Sequence, residues 1–185
     1  IYTGEDTLSL HDALPISNVW GLVMIILAYI GDHKKDTIPV RLGWWFTRLV
    51  QTGEFKQVTH TESVLSGDNY KNCTIASSSA RDGGVRVKEN IALTKGHWMA
   101  INVPTWNESI AKQWFDAHKG CAYDWFGAIG SVLFFVSGSR NKWFCNEATG
   151  APFIKTPEQY CPSKFIAIAL SMPNARDVTE DFFKD

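Results

Sequence analysis

Apolar residues change their period several times along this chain, and each change marks a boundary between elements. Residues 24–30 form a short unbroken apolar run stopped by Gly31-Asp32, which predicts a buried strand. Residues 39–51 repeat apolar side chains at helical spacing (Val40, Leu42, Trp45, Phe46, Leu49, Val50), with Pro39 suited to a first turn and Gly53 to a stop. Alternation takes over at 57–65, where Val58, His60, Glu62 and Val64 fall on one strand face. Further short strands are expected at 73–78, 85–88 and 98–103, divided by turn-forming Asp82-Gly83-Gly84 and by residues 94–96.

The second half has helical character. Thr105-Trp106-Asn107-Glu108 has the form of a capping box ahead of Ile110, Trp114, Phe115 and Ala117, and Gly120 suits the stop. Residues 123–136 predict an aromatic-rich helix buried on much of its surface. A Gly/Ser/Asn loop at 137–141 leads to Cys145, and Pro152 limits the helix that starts there to a short or kinked one. Residues 162–170 are a further apolar segment, and a charged tail begins at Asn174. There is no internal repeat.

Composition narrows the class. With 185 residues, 45% of them hydrophobic, the chain suits one α+β domain with a substantial core. Eighteen basic against nineteen acidic residues give a net charge of −1, which excludes a general attraction to nucleic acid or anionic lipid. The eight tryptophans and eleven phenylalanines belong mostly to the core, with some left to line a groove. Four cysteines without a C-x-x-C pair favour a reducing compartment over a zinc site or disulfide scaffold. The apolar run 19–30 is shorter than the about 20 residues a membrane helix needs and has no basic region before it, so neither a transmembrane segment nor a signal peptide is expected.

Residues 1–17, ending Leu14-Pro15-Ile16-Ser17, resemble the read-through translation of a sequencing adapter in a metagenomic assembly, against the alternative of a weakly patterned N-terminal arm. On the first reading His11 and Asp12 drop out as site candidates, 18–23 is an unassigned leader, and 24–185 form the domain with Met24 as the natural start.

Candidate chemistry centres on Cys145. A thiol is an effective nucleophile only as its thiolate, which a helix N-terminus or a nearby imidazolium favours over the ordinary pKa of about 8.5. His60 is the first candidate for its base and His97 the reserve, with His33 and His118 in polar surroundings. Glu62 shares a strand face with His60 and is a candidate to orient the ring. Side chains two apart on a strand start roughly 7 Å from each other, so Ser77 or Ser78 on a neighbouring strand stays open as the third member or support. Tyr123 is either an oxyanion donor beside the Cys145 backbone N–H or a core aromatic. Glu147, in the first turn, is expected to complement the helix dipole. Arg81 and Arg86 flank a glycine turn and, with Trp125, are candidates for substrate contact, the arginines through a carboxylate. Cys73, Cys121 and Cys161 read as core or inert thiols. No metal-ligand spacing or phosphate loop is visible, so no metal and no cofactor are inferred.

Three segments carry a family resemblance: the Trp-rich helix with Trp44, Trp45, Thr47 and Arg48 after a first strand, Thr59-His60-Thr61-Glu62, and Phe144-Cys145-Asn146-Glu147. In that order the chain resembles the circularly permuted papain-like amidases, the YiiX-like branch of the NlpC superfamily, which is related to lecithin retinol acyltransferase-like proteins. Residues 77–86 also resemble a segment common in phage and prophage members. Unpermuted members place a Tyr-x-Trp-Gly element before the cysteine and the histidine later. Here Tyr123-Asp124-Trp125-Phe126-Gly127 keeps that place while His60 comes first, and Thr59 and Asn146 stand where serine is usual.

The resemblance implies a small antiparallel sheet packed on helices, Cys145 at a helix N-terminus, and His60 as base. It implies a cysteine hydrolase cleaving an amide bond, as in peptidoglycan stem peptides, through an acyl-enzyme. An acyltransferase or lipid ester/thioesterase on the same dyad is the alternative, and a non-catalytic phage accessory or binding protein the third. The expected partner is a peptide or acyl-containing substrate, in the cytoplasm of a bacterial host or associated with a virion.

Overall fold

The structure is a computed structural model that describes residues 23–32, 37–67, 69–133 and 141–185, the side chains of 39, 132 and 133 excepted. The adapter-like 1–17, His33 and residues 134–140, which include the end of the expected aromatic helix and most of the loop before Cys145, lie outside these.

The domain is α+β, built on an eight-stranded sheet. Its strands are β1 (Met24–Tyr29), β2 (His60–Ser66), β3 (Cys73–Ser79), β4 (Gly84–Ile91), β5 (Trp98–Val103), β6 (Ala122–Tyr123), β7 (Lys142–Trp143) and β8 (Arg176–Asp177). Spatial order is β7-β6-β4-β3-β2-β1-β5-β8, and every neighbouring pair is antiparallel except β6 and β7. The sheet is therefore wider than the small one expected. The three additions are two-residue strands, too short for alternation to reveal.

The apolar run of β1 lies at the centre because both of its faces are covered. Met24, Ile26 and Ala28 join one core with Ala76, Val85, Ile101 and Val103, while Ile25 and Leu27 join another with Val64 and Ile75. Helices close the first face: α2 (Glu108–His118) through Ala111 and Phe115, α4 (Cys145–Gly150) through Ala148, and α5 (Pro162–Ser171) through Phe165, Ile166 and Ala169. Burying those side chains contributes roughly 1.5–3 kcal/mol for each large one.

The expected charged tail is instead structured. After β8 comes α6 (Thr179–Phe182), and Val178, Phe182 and Phe183 cover the second core. A further correction concerns the cap of α2. Asn107, not Thr105, accepts the Ser109 and Ile110 backbone N–H groups, so the apparent box is a single Asn cap.

Two helices flank the sheet without burying their apolar faces. α1 (Ile38–Val50) starts and ends within a residue of the expected helix, yet Ile38, Leu42, Trp45 and Leu49 are all more than half exposed. α3 (Trp125–Leu133) carries Phe126 at 71% exposure, which overturns the expectation of a largely buried aromatic helix. Asp124 caps α3 by accepting the Gly127 N–H at 2.9 Å, and a Cβ at Gly127 would come within 2.7 Å of that carboxylate. Among the described residues no helix is long and apolar enough to cross a membrane.

Candidate active site

The site lies where the sheet loosens. β1 and β2 stay in register from Val64 to His60, but the β2–β3 ladder begins only at Ser63. Between these strands the Ser77 hydroxyl, not a backbone N–H, reaches the Thr61 carbonyl at 2.7 Å. α4 packs against this region with Thr149, whose hydroxyl meets that of Thr61 at 3.4 Å.

Cys145 is the first residue of α4 and is buried, 3% exposed. Three contacts fix the segment that delivers it. The Ser78 hydroxyl donates to the Trp143 carbonyl at 2.5 Å, the Glu147 carboxyl accepts the Phe144 N–H at 3.2 Å, and the Asn146 side-chain amide donates to the Tyr160 carbonyl. The Ser77 and Ser78 hydroxyls thus both donate to backbone carbonyls.

The side chain that meets the imidazole is Glu62. His60 Nε2 meets Glu62 Oε1 at 3.1 Å, so the direct contact that their separation along one strand argued against does form. The two side chains lean toward each other from the same face. With Nε2 engaged, Nδ1 is the ring nitrogen left for sulfur, and Cys145 is the strongest of the groups that hold a proton on His60. The Trp44 ring packs edge-on against the imidazole at a centroid distance of 5.9 Å.

Arg86 does not face a substrate carboxylate as expected. Its Nη2 donates to Glu62 Oε1 at 2.6 Å and its Nη1 to Oε2 at 3.1 Å, the bidentate geometry that planar guanidinium favours. Its Nε donates to Asp82 at 2.9 Å, and Lys88 donates to the same carboxylate at 2.9 Å. The chain of charges therefore runs from the thiol through His60, Glu62 and Arg86 to Asp82 at the protein surface. Sequence reasoning missed this use of Arg86 because the contact depends on β3–β4 register, which sets Arg86 opposite Ser77.

Electrostatics follow from these contacts. Burial opposes a charge on His60, but Cys145 and Glu62 outweigh it and raise the pKa from 6.5 to about 9. Burial likewise opposes the Glu62 charge, and Arg86 with His60 reverses that, lowering it from 4.5 to about 2. Burial and the nearby Cys145 keep the Tyr123 hydroxyl protonated far above its ordinary 10, so it retains an O–H to donate. Burial raises the Cys73 thiol to about 11, which sets it apart as an inert cysteine.

Glu147 departs from its expected role. Burial, with Asp124 and Glu158 nearby, raises its pKa to about 8 against the hydrogen bond from Phe144, so at neutral pH it caps the helix mainly as a neutral acid.

The remaining candidates line the surroundings. His97 stands edge-on to Tyr29 at 6.1 Å on the wall of a basin of about 590 Å³ and mixed lining, which includes Arg81, Asp82, Lys88 and Thr94 beside Ile75, Leu93 and Trp98 and reaches His60 and Glu62. His118 stacks on Trp114 at 4.1 Å, where its Nδ1 lies 2.8 Å from the Trp114 carbonyl. Trp125 is 45% exposed beside an apolar groove of about 450 Å³ between α1 and α3. Among the described residues no cluster of three or more His, Cys, Asp or Glu is arranged to hold a metal ion. Comparison of the chain with protein-family models, with curated proteins and with solved structures gives no match.

Proposed function

We propose that the protein is a cysteine hydrolase of the circularly permuted papain-like kind, cleaving an amide bond through an acyl-enzyme. The observation that carries this reading is Cys145 at the start of α4 near a His60 whose ring is hydrogen-bonded to an ionised, arginine-held Glu62. His60 holds its proton up to about pH 9, as the base partner of a thiol nucleophile requires.

The sulfur attacks the carbonyl carbon, forming the S–C bond while the C=O π pair moves onto oxygen. On this reading the Cys145 backbone N–H and the protonated Tyr123 hydroxyl donate to that oxygen. Collapse breaks the C–N bond, and His60 Nδ1 gives its proton to the departing amine. His60 then takes a proton from water as its oxygen attacks the thioester. Collapse breaks the S–C bond, releases the acid and restores the starting pair. Glu62 stays ionised throughout and holds the ring by Nε2.

Transfer of the acyl group to another acceptor uses the same first half-reaction, and the apolar groove beside Trp44 favours an acyl-bearing substrate for it. Cys145→Ala should reduce turnover of muropeptide or acyl-amide substrates by on the order of 10⁴-fold or more with the circular dichroism spectrum unchanged. Cys145 should also alkylate faster than Cys73, Cys121 or Cys161. Equal alkylation rates, with no turnover by the native protein, point to a non-catalytic binding protein instead.

A further inference from the structure

The residue after the nucleophile carries a side chain that the proposed chemistry does not use. Asn146 is fully buried, and its Oδ1 lies 3.5 Å from Cys145 Sγ, with the thiol as donor. At its other end Nδ2 donates to the Tyr160 carbonyl. A backbone carbonyl can only accept, so the amide NH2 faces Tyr160 and the amide oxygen is left to face the sulfur.

The carbonyl that fixes this orientation belongs to a braced segment. From Tyr160 the chain enters α5, where the Ser163 N–H donates to Gln51 Oε1 at 2.8 Å. Gln51 Nε2 donates in turn to the Val58 carbonyl at 2.8 Å, on the segment that leads into His60. The end of α1, the start of α5 and the approach to β2 are thus tied together around the anchor of Asn146.

An acceptor oxygen beside the sulfur acts on where the proton sits. A thiol donates to it, whereas a thiolate has no hydrogen to give and meets the oxygen's lone pairs. Glu62 acts in the opposite sense, because its carboxylate, 3.1 Å from His60 Nε2, favours a proton on the imidazole. Cys145 and His60 therefore stand between two opposed acceptors.

We propose that Asn146 is a positioning residue that keeps the hydrogen of Cys145 on sulfur in the resting site, so that the thiol is deprotonated only as Sγ turns from Asn146 Oδ1 to His60. In that step the S–H bond breaks, its electron pair stays on sulfur and the proton passes to His60 Nδ1. This rests on the thiol hydrolase reading and adds a control over its nucleophile.

The test follows alkylation of Cys145 by iodoacetamide across pH, with Cys145→Ala subtracting the other thiols. At pH 6 Asn146→Ala should react about fivefold faster than the native protein, the worth of one ordinary hydrogen bond, and the two rates should converge once the thiol is ionised in both. Easier access through the space left by the amide would raise the rate by one factor at every pH, and that result overturns the proposal, as does a rate that is unchanged or lower. Asn146→Ser, whose hydroxyl can donate to a thiolate, is the second variant and should move the acid limb of the profile the same way. Glu62→Gln should move it the opposite way.

The native protein supplies a further check if neither Asn146 variant folds. Its Raman spectrum at the same pH should contain an S–H stretching component that Cys145→Ala removes, and the absence of that component overturns the proposal. Neither measurement needs turnover. A pH-dependent gain in Asn146→Ala, with no amide hydrolysed by the native protein, sinks the hydrolase reading and leaves the Asn146 assignment standing. Turnover by the native protein with a gain that is the same at every pH does the reverse.

Discussion

Two buried glutamates stand on opposite sides of the candidate site and differ by one cation. Glu62, on the strand side, shares both oxygens with Arg86 and is held near pKa 2. Glu147, on the helix side, has the Phe144 N–H as its hydrogen-bond donor and acidic groups nearby, and it rises to about 8. The same side chain is thus a permanent anion in one place and mostly a neutral acid in the other. What burial does to a carboxyl depends on what is buried with it. The strand side is built to hold charge beside His60, and the helix side to keep charge away from the thiol.

The largest expected effect comes from erasing that difference. Arg86→Met leaves the Glu62 carboxylate buried with its bidentate partner gone, and breaking such a pair from one side costs about 3–5 kcal/mol. Urea unfolding at neutral pH should report the loss, and Arg86→Lys should recover part of it, since an ammonium restores the charge without the bidentate fit. Equal stability of Arg86→Met and the native protein would mean that the pair does not hold Glu62 ionised.

A smaller change keeps the hydrogen bond and removes only the charge. In Glu62→Gln the amide oxygen can still accept from His60 Nε2, but the imidazolium loses its counterion. The His60 pKa then falls from about 9 toward the ordinary 6.5. Because its folded pKa is raised, His60 contributes stability fully below 6.5 and loses it as pH rises through about 9. The basic limb of kcat/KM should move down in the variant, and turnover at pH 8 should drop by up to about 30-fold. A basic limb that stays near 9 would remove Glu62 from the mechanism. Glu62's own contribution has the opposite window, being present above 4.5 and lost as pH falls through about 2.

Much of this arrangement was legible in the chain and some was not, for physical reasons. Alternation placed His60 and Glu62 on one face, and the loop-to-helix transition placed Cys145 at a helix start, because both signals are local. Arg86 was assigned to substrate because its partner is set by strand register, which no local pattern carries. α3 was read as buried because its apolar periodicity says which residues share a face and not whether another element covers them. The tail was read as charged because Arg176, Asp177, Glu180 and Asp181 surround Val178, Phe182 and Phe183, the three residues that pack. The link between Glu62 and His60 forms because the two side chains together reach across the roughly 7 Å between their Cβ atoms.

The smallest effect, and the finest test of the contrast, lies at Glu147. Its folded pKa is raised, so below 4.5 the acid is protonated whether the chain is folded or not and contributes no pH dependence. Between 4.5 and about 8 the unfolded chain ionises it while the folded one resists, and stability falls with rising pH by at most about 1.4 kcal/mol per unit. Above 8 the loss is complete. Glu147→Gln replaces the neutral acid with a group of the same shape whose oxygen can still accept the Phe144 N–H. The variant should match the native protein near pH 4.5 and exceed it increasingly as pH rises to 8, with turnover little changed. His60 sheds stability over part of the same range, so the slope that survives in Glu147→Gln between 6.5 and 8 belongs to the strand side. If the variant were instead less stable near pH 8, Glu147 would be an anion that the helix start depends on, and the two carboxylates would differ in position alone.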